Sequence, residues 1–257
     1  MKILFYSVFA WSLTSLCHAD WAVHDQETIE KTLTLNGAAA RLVIENVNGY
    51  VHVKGVSGST VHMTAHKVIR ARTDEDLAMA RQEVRLDLTG EPGLVSIRYD
   101  APSHEHGDNH RHYDVSYDID VEVPAGVQFD AGNVNGSIQM SGMEGSGSAH
   151  TVNGSVNVHF SRNPTAASSF KSVNGSLDVW FQQNFAAEMT FKTLNGQVYA
   201  DFDVEPRAIP ASAVREHRDD GKFVYRSNGM GGGRVGSGGP EISFDTVNGS
   251  IRLHKEQ

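Results

Sequence analysis

The densest local chemistry in the chain is His104-Glu-His-Gly-Asp-Asn-His-Arg-His112. Four imidazoles and two carboxylates fall within these nine residues. Imidazole nitrogens suit Zn²⁺, Cu²⁺ or Ni²⁺, and carboxylates can complete the coordination. His104, His106, His110 and His112 are therefore the candidate metal ligands, and a divalent transition metal is the one cofactor to consider. Pro102, Gly107 and Asn109 mark the stretch as a loop. Ordering a flexible loop around an ion costs conformational entropy. The competing reading is a soluble loop whose imidazoles titrate at about pH 6.5.

A second candidate is the row Asp114, Asp118, Asp120 and Glu122, which falls on one side of an alternating run ending at Val123. Such a row could hold Ca²⁺ or act on sugars, since glycosidic cleavage needs two carboxyls at a suitable separation. It is also what the solvent side of an amphipathic strand looks like, with Val115, Tyr117, Ile119 and Val121 turned inward. Gly231-Gly-Gly-Arg-Val-Gly236 matches the dinucleotide fingerprint in letters only. The fingerprint needs a helix after it, and here Pro240 and the alternating Ile242 and Phe244 follow. Trp180, Phe181, Phe185, Phe191 and Tyr199 could form a sugar-stacking platform if exposed. The strand pattern instead sends the Phe residues to the core and leaves Trp180 and Tyr199 outside. No Ser/His/Asp grouping stands out as a motif.

The elements that must carry these residues follow from a repeat. Besides Leu35-Asn36-Gly37, Asn-Gly preceded by Val or Leu occurs six times, at Asn48-Gly49, Asn135-Gly136, Asn153-Gly154, Asn174-Gly175, Asn195-Gly196 and Asn248-Gly249. Three successive spacings are 18, 21 and 21 residues. Two residues after each Gly stands Val51, Ile138, Val156, Leu177, Val198 or Ile251, and another apolar or small residue follows two later. This alternation predicts a strand with one buried side leaving each turn. Gly tolerates positive φ and Asn is the next most tolerant, so each pair is read as a sharp bend. Repetition at this period predicts a β-solenoid of about six coils, in which each repeat lies on its neighbour and the Asn side chains can form a ladder. A meander of hairpins folded into a sandwich is the alternative.

Two stretches interrupt the period. Residues 60–128 read as a strand-rich excursion with one helix at about 74–83, introduced by Thr73 and an acidic first turn, and serving to cap the stack. Residues 203–240 form a second insertion whose Gly-rich part, Gly229 to Gly239, reads as a loop or a long hairpin.

The ends bound the setting. Lys2, the apolar run Ile3 to Leu16 and Cys17-His18-Ala19 have the pattern of a secretory signal peptide, residues 1–19, with Asp20 first in the mature chain. Leu16 is too large for the residue expected before a lipidated Cys. Cleavage removes the one cysteine, so disulfides and thiol chemistry are excluded from residues 20–257. The net charge of −9 becomes −10 once Lys2 is removed, which argues against nucleic acid as a partner. No later apolar run has the length of a membrane span. The expected location is periplasmic or secreted.

TVNGSV, SVNGSL, TLNGQV and TVNGSI, with Val123-Pro-Ala-Gly126 before a repeat and Gly-Gly-Pro-Glu-Ile before the last one, resemble a bacterial adhesin-type family. Its members are exported β-solenoid proteins with VNG repeats, a domain of unknown function. The likeness spans roughly residues 30–257. It implies the architecture and no catalytic or ligand residues. The expected function is thus non-enzymatic: an adhesin-like or scaffold protein of the envelope whose partner is a surface protein or a polysaccharide. A carbohydrate-active enzyme using the carboxylate row and a periplasmic metal binder using the His loop are the alternatives.

Overall fold

A computed structural model describes residues 22–35, 40–102, 112–207, 215–219, 222–226 and 229–256. In chain order the first elements are β1 (Val23–Thr34), β2 (Arg41–Glu45), β3 (Val51–Val56), β4 (Thr60–Ala71), α1 (Asp74–Glu83), β5 (Arg85–Glu91), β6 (Leu94–Asp100) and β7 (Tyr113–Pro124). Then come β8 (Gln128–Asn135), β9 (Ile138–Met143), β10 (Gly147–Asn153), β11 (Val156–Phe160), β12 (Ser168–Asn174), β13 (Leu177–Phe181), β14 (Ala187–Asn195) and β15 (Val198–Ala200). The last are β16 (Val204–Arg207), β17 (Arg215–Asp219), β18 (Lys222–Arg226), β19 (Gly229–Val235), β20 (Glu241–Asn248) and β21 (Ile251–Lys255).

These strands make two large mixed sheets, neither of them closed. The first has 11 strands in the order β1-β4-β7-β3-β9-β11-β13-β21-β15-β18-β17. The second has 10 in the order β16-β19-β14-β20-β12-β10-β8-β2-β6-β5. Every Asn-Gly corner joins a strand of the second sheet to one of the first. Equivalent strands pair parallel and in register: Asn135 lies beside Asn153, Asn153 beside Asn174, and Asn174 beside Asn248.

The alternation has the expected consequence. Val156, Val158 and Phe160 are buried while Asn157 and His159 face out, and each repeat follows suit. The buried sides of the two sheets enclose a core in which phenylalanines stack along the repeat direction. Phe160 lies 5.5 Å from Phe181, and Phe244 lies 5.5 Å from Phe170 and 5.6 Å from Phe191.

Lateral order is where chain order fails as a guide. The final repeat, β20–β21, sits between the Asn174 and Asn195 repeats instead of beyond the latter. All the corners carry the same edge chemistry, so local sequence does not say which repeat stacks on which. Strands β16 to β19 run along the outside: β18 pairs antiparallel with β15, and β19 with β14. Of the Gly-rich run, Gly229–Val235 is accordingly a strand, paired antiparallel with β14 and β16. Its glycines suit the place, because a Cβ on Gly233 would collide with the Val204 side chain of β16.

The 60–128 excursion extends both sheets at the other end. The helix spans the predicted residues. Thr73 caps it, its Oγ1 accepting from the Asp76 amide at 3.1 Å, and Leu77 and Ala80 bury its inner side. At its C-terminus Lys67 is buried and donates to the Val84 carbonyl at 2.8 Å. Burial pushes the Lys67 ammonium below its ordinary pKa.

Candidate functional site

The corners form a continuous ladder. Each Asn Nδ2 donates to the Oδ1 of its neighbour: Asn195 to Asn248, Asn248 to Asn174, Asn174 to Asn153, Asn153 to Asn135 and Asn135 to Asn48, all at 2.7–2.9 Å. Asn48 ends the series by donating to the Val115 carbonyl at 3.1 Å. A second series lies beneath it. The residue two before each Asn is buried, and in five of the six corners it donates to the Gly carbonyl of the adjoining repeat, while Asn46 donates to the Tyr117 carbonyl at 3.0 Å. Thr151, Ser172, Thr246 and Thr193 do so at 2.8–3.0 Å, and Asn133 does so at 2.7 Å. Sequence reading missed this series, although Ser or Thr at that position was visible in four of the six copies.

The glycines serve a purpose other than the one expected. Gly49 and Gly136 have φ of 107° and 149°, while Gly154, Gly175, Gly196 and Gly249 are not in the positive-φ region. What five of the corner glycines share is proximity. A Cβ on Gly136, Gly154, Gly175, Gly249 or Gly196 would fall inside contact distance of the neighbouring Gly carbonyl oxygen. The corners need glycine so that backbones can stack, and only two of the six, Gly49 and Gly136, need it for conformation as well.

The outer side of the 11-stranded sheet carries the functional side chains in rows. One row is His159, Trp180 and His254, each six residues after its Asn. The indole is held between the two imidazoles at centroid distances of 3.8 and 4.4 Å, with interplanar angles of 9° and 19°. Both faces of the Trp180 ring are thus covered, so it offers no sugar-stacking surface. His159 meets Glu256 at 3.0 Å, and His254 meets Asp178 at 3.2 Å. Asp178 also accepts from Ser176 at 2.7 Å and from Arg252 at 3.3 Å, and Arg252 lies 5.9 Å over the Tyr199 ring. Phe181, Phe185 and Phe191 are buried.

The carboxylate row lies on the same outer side, on β7. Asp114 accepts from Asn48 at 3.4 Å, and Asp118 from the Tyr50 amide at 3.1 Å. Asp120 meets the Tyr50 hydroxyl at 3.3 Å and His52 at 3.2 Å, and Glu122 meets Lys54 at 2.9 Å. The Lys54 hydrogen bond holds the Glu122 carboxyl below its ordinary pKa, so it stays ionised and is unsuited to hold a proton as a general acid. Desolvation, reinforced by Asp120 and Asp118, pushes the Tyr50 phenol up. His52, Lys54, Asp120, Glu122, Gln139 and Ser141 line a shallow cleft of about 280 Å³ here.

The metal candidates fall mostly out of view: His104, His106 and His110 lie outside the described residues. His112 precedes β7, and its carbonyl accepts from the Arg72 amide at 3.0 Å. Among the described residues no group of three or more His, Cys, Asp or Glu is placed to hold a metal ion. No helix among them is long and apolar enough to cross a membrane.

No family model matches the chain, and no curated protein does. Solved structures do. The chain is similar to a provisionally assigned cell adhesion protein from Clostridium sporogenes, with 10% identity and a TM-score of 0.50, covering 90% of this chain and 100% of that one. It also matches a provisionally assigned adhesin from Bacteroides fragilis at 9% identity and a TM-score of 0.30, covering 90% of this chain and 97% of the other. At these identities the first likeness concerns the fold alone.

Proposed function

We propose that the protein is an exported, non-enzymatic β-solenoid that acts as an adhesin-like or scaffold protein of the cell envelope. Residues 1–19 would direct export, and residues 20–257 would form the working domain. The observation that carries the reading is the unbroken corner ladder. Six repeats in register with five Asn–Asn bonds make a stiff wall, and that wall presents its side chains in straight rows. Rows of hydroxyl, amide and charged groups on a rigid sheet suit recognition of a surface protein or polysaccharide, because little entropy is lost on binding. The paired state of the carboxylates and the covered faces of Trp180 both weigh against catalysis on sugars. The cell-adhesion name of the Clostridium sporogenes protein of similar fold points the same way.

The test is a panel of surface polysaccharides and envelope proteins, scored for binding and for turnover. Binding without turnover, lost when outer-row residues such as Arg252 are replaced by Ala, is the expected result. Turnover abolished by Asp120→Asn would overturn the non-enzymatic reading.

A further inference from the structure

We infer that β1 is a self-pairing edge through which two copies of this chain join their 11-stranded sheets across a two-fold axis. β1 begins that sheet, and among the described residues β4 is the one strand paired with it. It runs for 12 residues without Pro, Gly or a break in register. A strand edge of this kind presents a row of free backbone donors and acceptors, which proteins normally blunt. The other edges are blunted or short. β16 has four residues including Pro206, β17 has five, and β5 has seven including Gly90.

The side chains of β1 select the occupant. Val23, Ile29 and Leu33 pack against the core, so the odd-numbered positions face inward and the even-numbered ones outward. A partner strand that continues the sheet must keep like faces together, which allows only even shifts of register. In an antiparallel two-fold pairing centred on Ile29, that residue meets its own copy. Glu27 of each chain then lies opposite Lys31 of the other, and Thr28 opposite Glu30. Ile29 meets Ile29, opposite charges meet twice, no like charges face each other, and Asp25, which falls opposite Leu33, already has Arg81 as its partner at 2.9 Å. Shifting the centre by one residue to Thr28 would pair Val23 with Leu33 but set Lys31 against Asp25, which Arg81 already neutralises, and leave Glu27 against Ile29. Centring on Glu27 or Glu30 would set two glutamates together. Charges that repel an arbitrary strand are thus arranged to accept this same strand reversed. Two-fold pairing of one patch with itself is also the commonest symmetry of soluble oligomers. α1 packs on β4, β7 and β1, and its Arg81 meets Asp25 of β1 at 2.9 Å. The pairing needs nothing from the surface role proposed above.

Sedimentation velocity of the purified protein over roughly 1 to 200 µM tests it, a range suited to an interface of modest area. A concentration-dependent dimer is expected. Lys31→Glu sets a second carboxylate against Glu27 in both halves and should weaken the dimer about tenfold. Its circular dichroism and thermal midpoint should not change, since Lys31 is exposed and lies opposite Met63 on β4. Register is read by mild oxidation in a Cys17→Ser background. Ile29→Cys should give a disulfide-linked dimer, and Thr32→Cys should not. A monomer at every concentration overturns the inference. So does a dimer that Lys31→Glu leaves equally tight and Ile29→Cys fails to crosslink.

Discussion

Replacing Gly175 by Ala separates two explanations of the repeated glycine. If glycine were there for backbone freedom, Gly175→Ala would cost little, because Gly175 is not in the positive-φ region. The stacked geometry says otherwise. The new Cβ would meet the Gly154 carbonyl oxygen inside contact distance and the Ser155 amide nitrogen at 3.0 Å. Both are backbone atoms, so relief requires the repeats to part by about 1 Å. Three bonds span that junction or the next: the Gly154 amide to the Asn174 carbonyl at 3.1 Å, the Gly175 amide to the Asn248 carbonyl at 3.1 Å, and Ser172 to the Gly154 carbonyl at 2.8 Å. Overpacking strain plus two weakened hydrogen bonds amounts to about 3–5 kcal/mol. The thermal midpoint should fall on the order of 10 °C. Two controls isolate the cause. Gly58 has φ of 117° and no atom within 4 Å of where a Cβ would sit, so Gly58→Ala carries backbone strain alone. That strain is about 1–2 kcal/mol. Gly126 has open space and no positive φ, and Gly126→Ala should be neutral or slightly stabilising. Urea denaturation of the three variants decides the matter. A Gly175→Ala cost no larger than that of Gly126→Ala would refute the stacking account.

Asn174→Asp keeps an acceptor for Asn248 and loses the donor to Asn153, so urea unfolding should show a loss of about 1 kcal/mol. Lys67 has its pKa depressed by burial below 10.5, so between the two values the unfolded chain holds more protons and the Lys67 contribution to stability rises with pH. Denaturation from neutral to alkaline pH should show that rise in the parent and a flatter profile in Lys67→Met. Glu122 is the opposite case: its folded pKa is lowered, so its contribution is present above the ordinary value of 4.5 and lost as pH falls through the folded one. Lys54→Met should remove that acid-side dependence, with a small amplitude because both side chains are about half exposed. Micromolar Zn²⁺ should raise the thermal midpoint if the His loop binds metal, and the gain should vanish when His104, His106, His110 and His112 become Ala.

Much of the fold was legible because it is written in short-range patterns. A period of two identifies a strand with one buried side, so β11, β13 and β21 could be read directly from VNVHF, LDVWF and IRLHK. A hydroxyl residue, an acidic turn and good helix formers identified α1 to the residue. The carboxylate row was legible as an outward face for the same reason. The candidate site was less so. His159, Trp180 and His254 come from three separate repeats, and only parallel in-register pairing makes them one column.

By itself the sequence determined the repeat unit, the position of its six corners and the side that each residue of the strands leaving them faces. These depend on φ preference and alternation, which are properties of a few neighbouring residues. Only the tertiary structure decided how the units are ordered, with the last repeat threaded between two earlier ones, and why glycine recurs. Both depend on contacts between segments whose edges are chemically alike, so local sequence leaves the choice degenerate. The column Gly136, Gly154, Gly175, Gly249, Gly196 is the clearest case. Its sequence order differs from its spatial order, and its common requirement is the carbonyl oxygen of the next glycine.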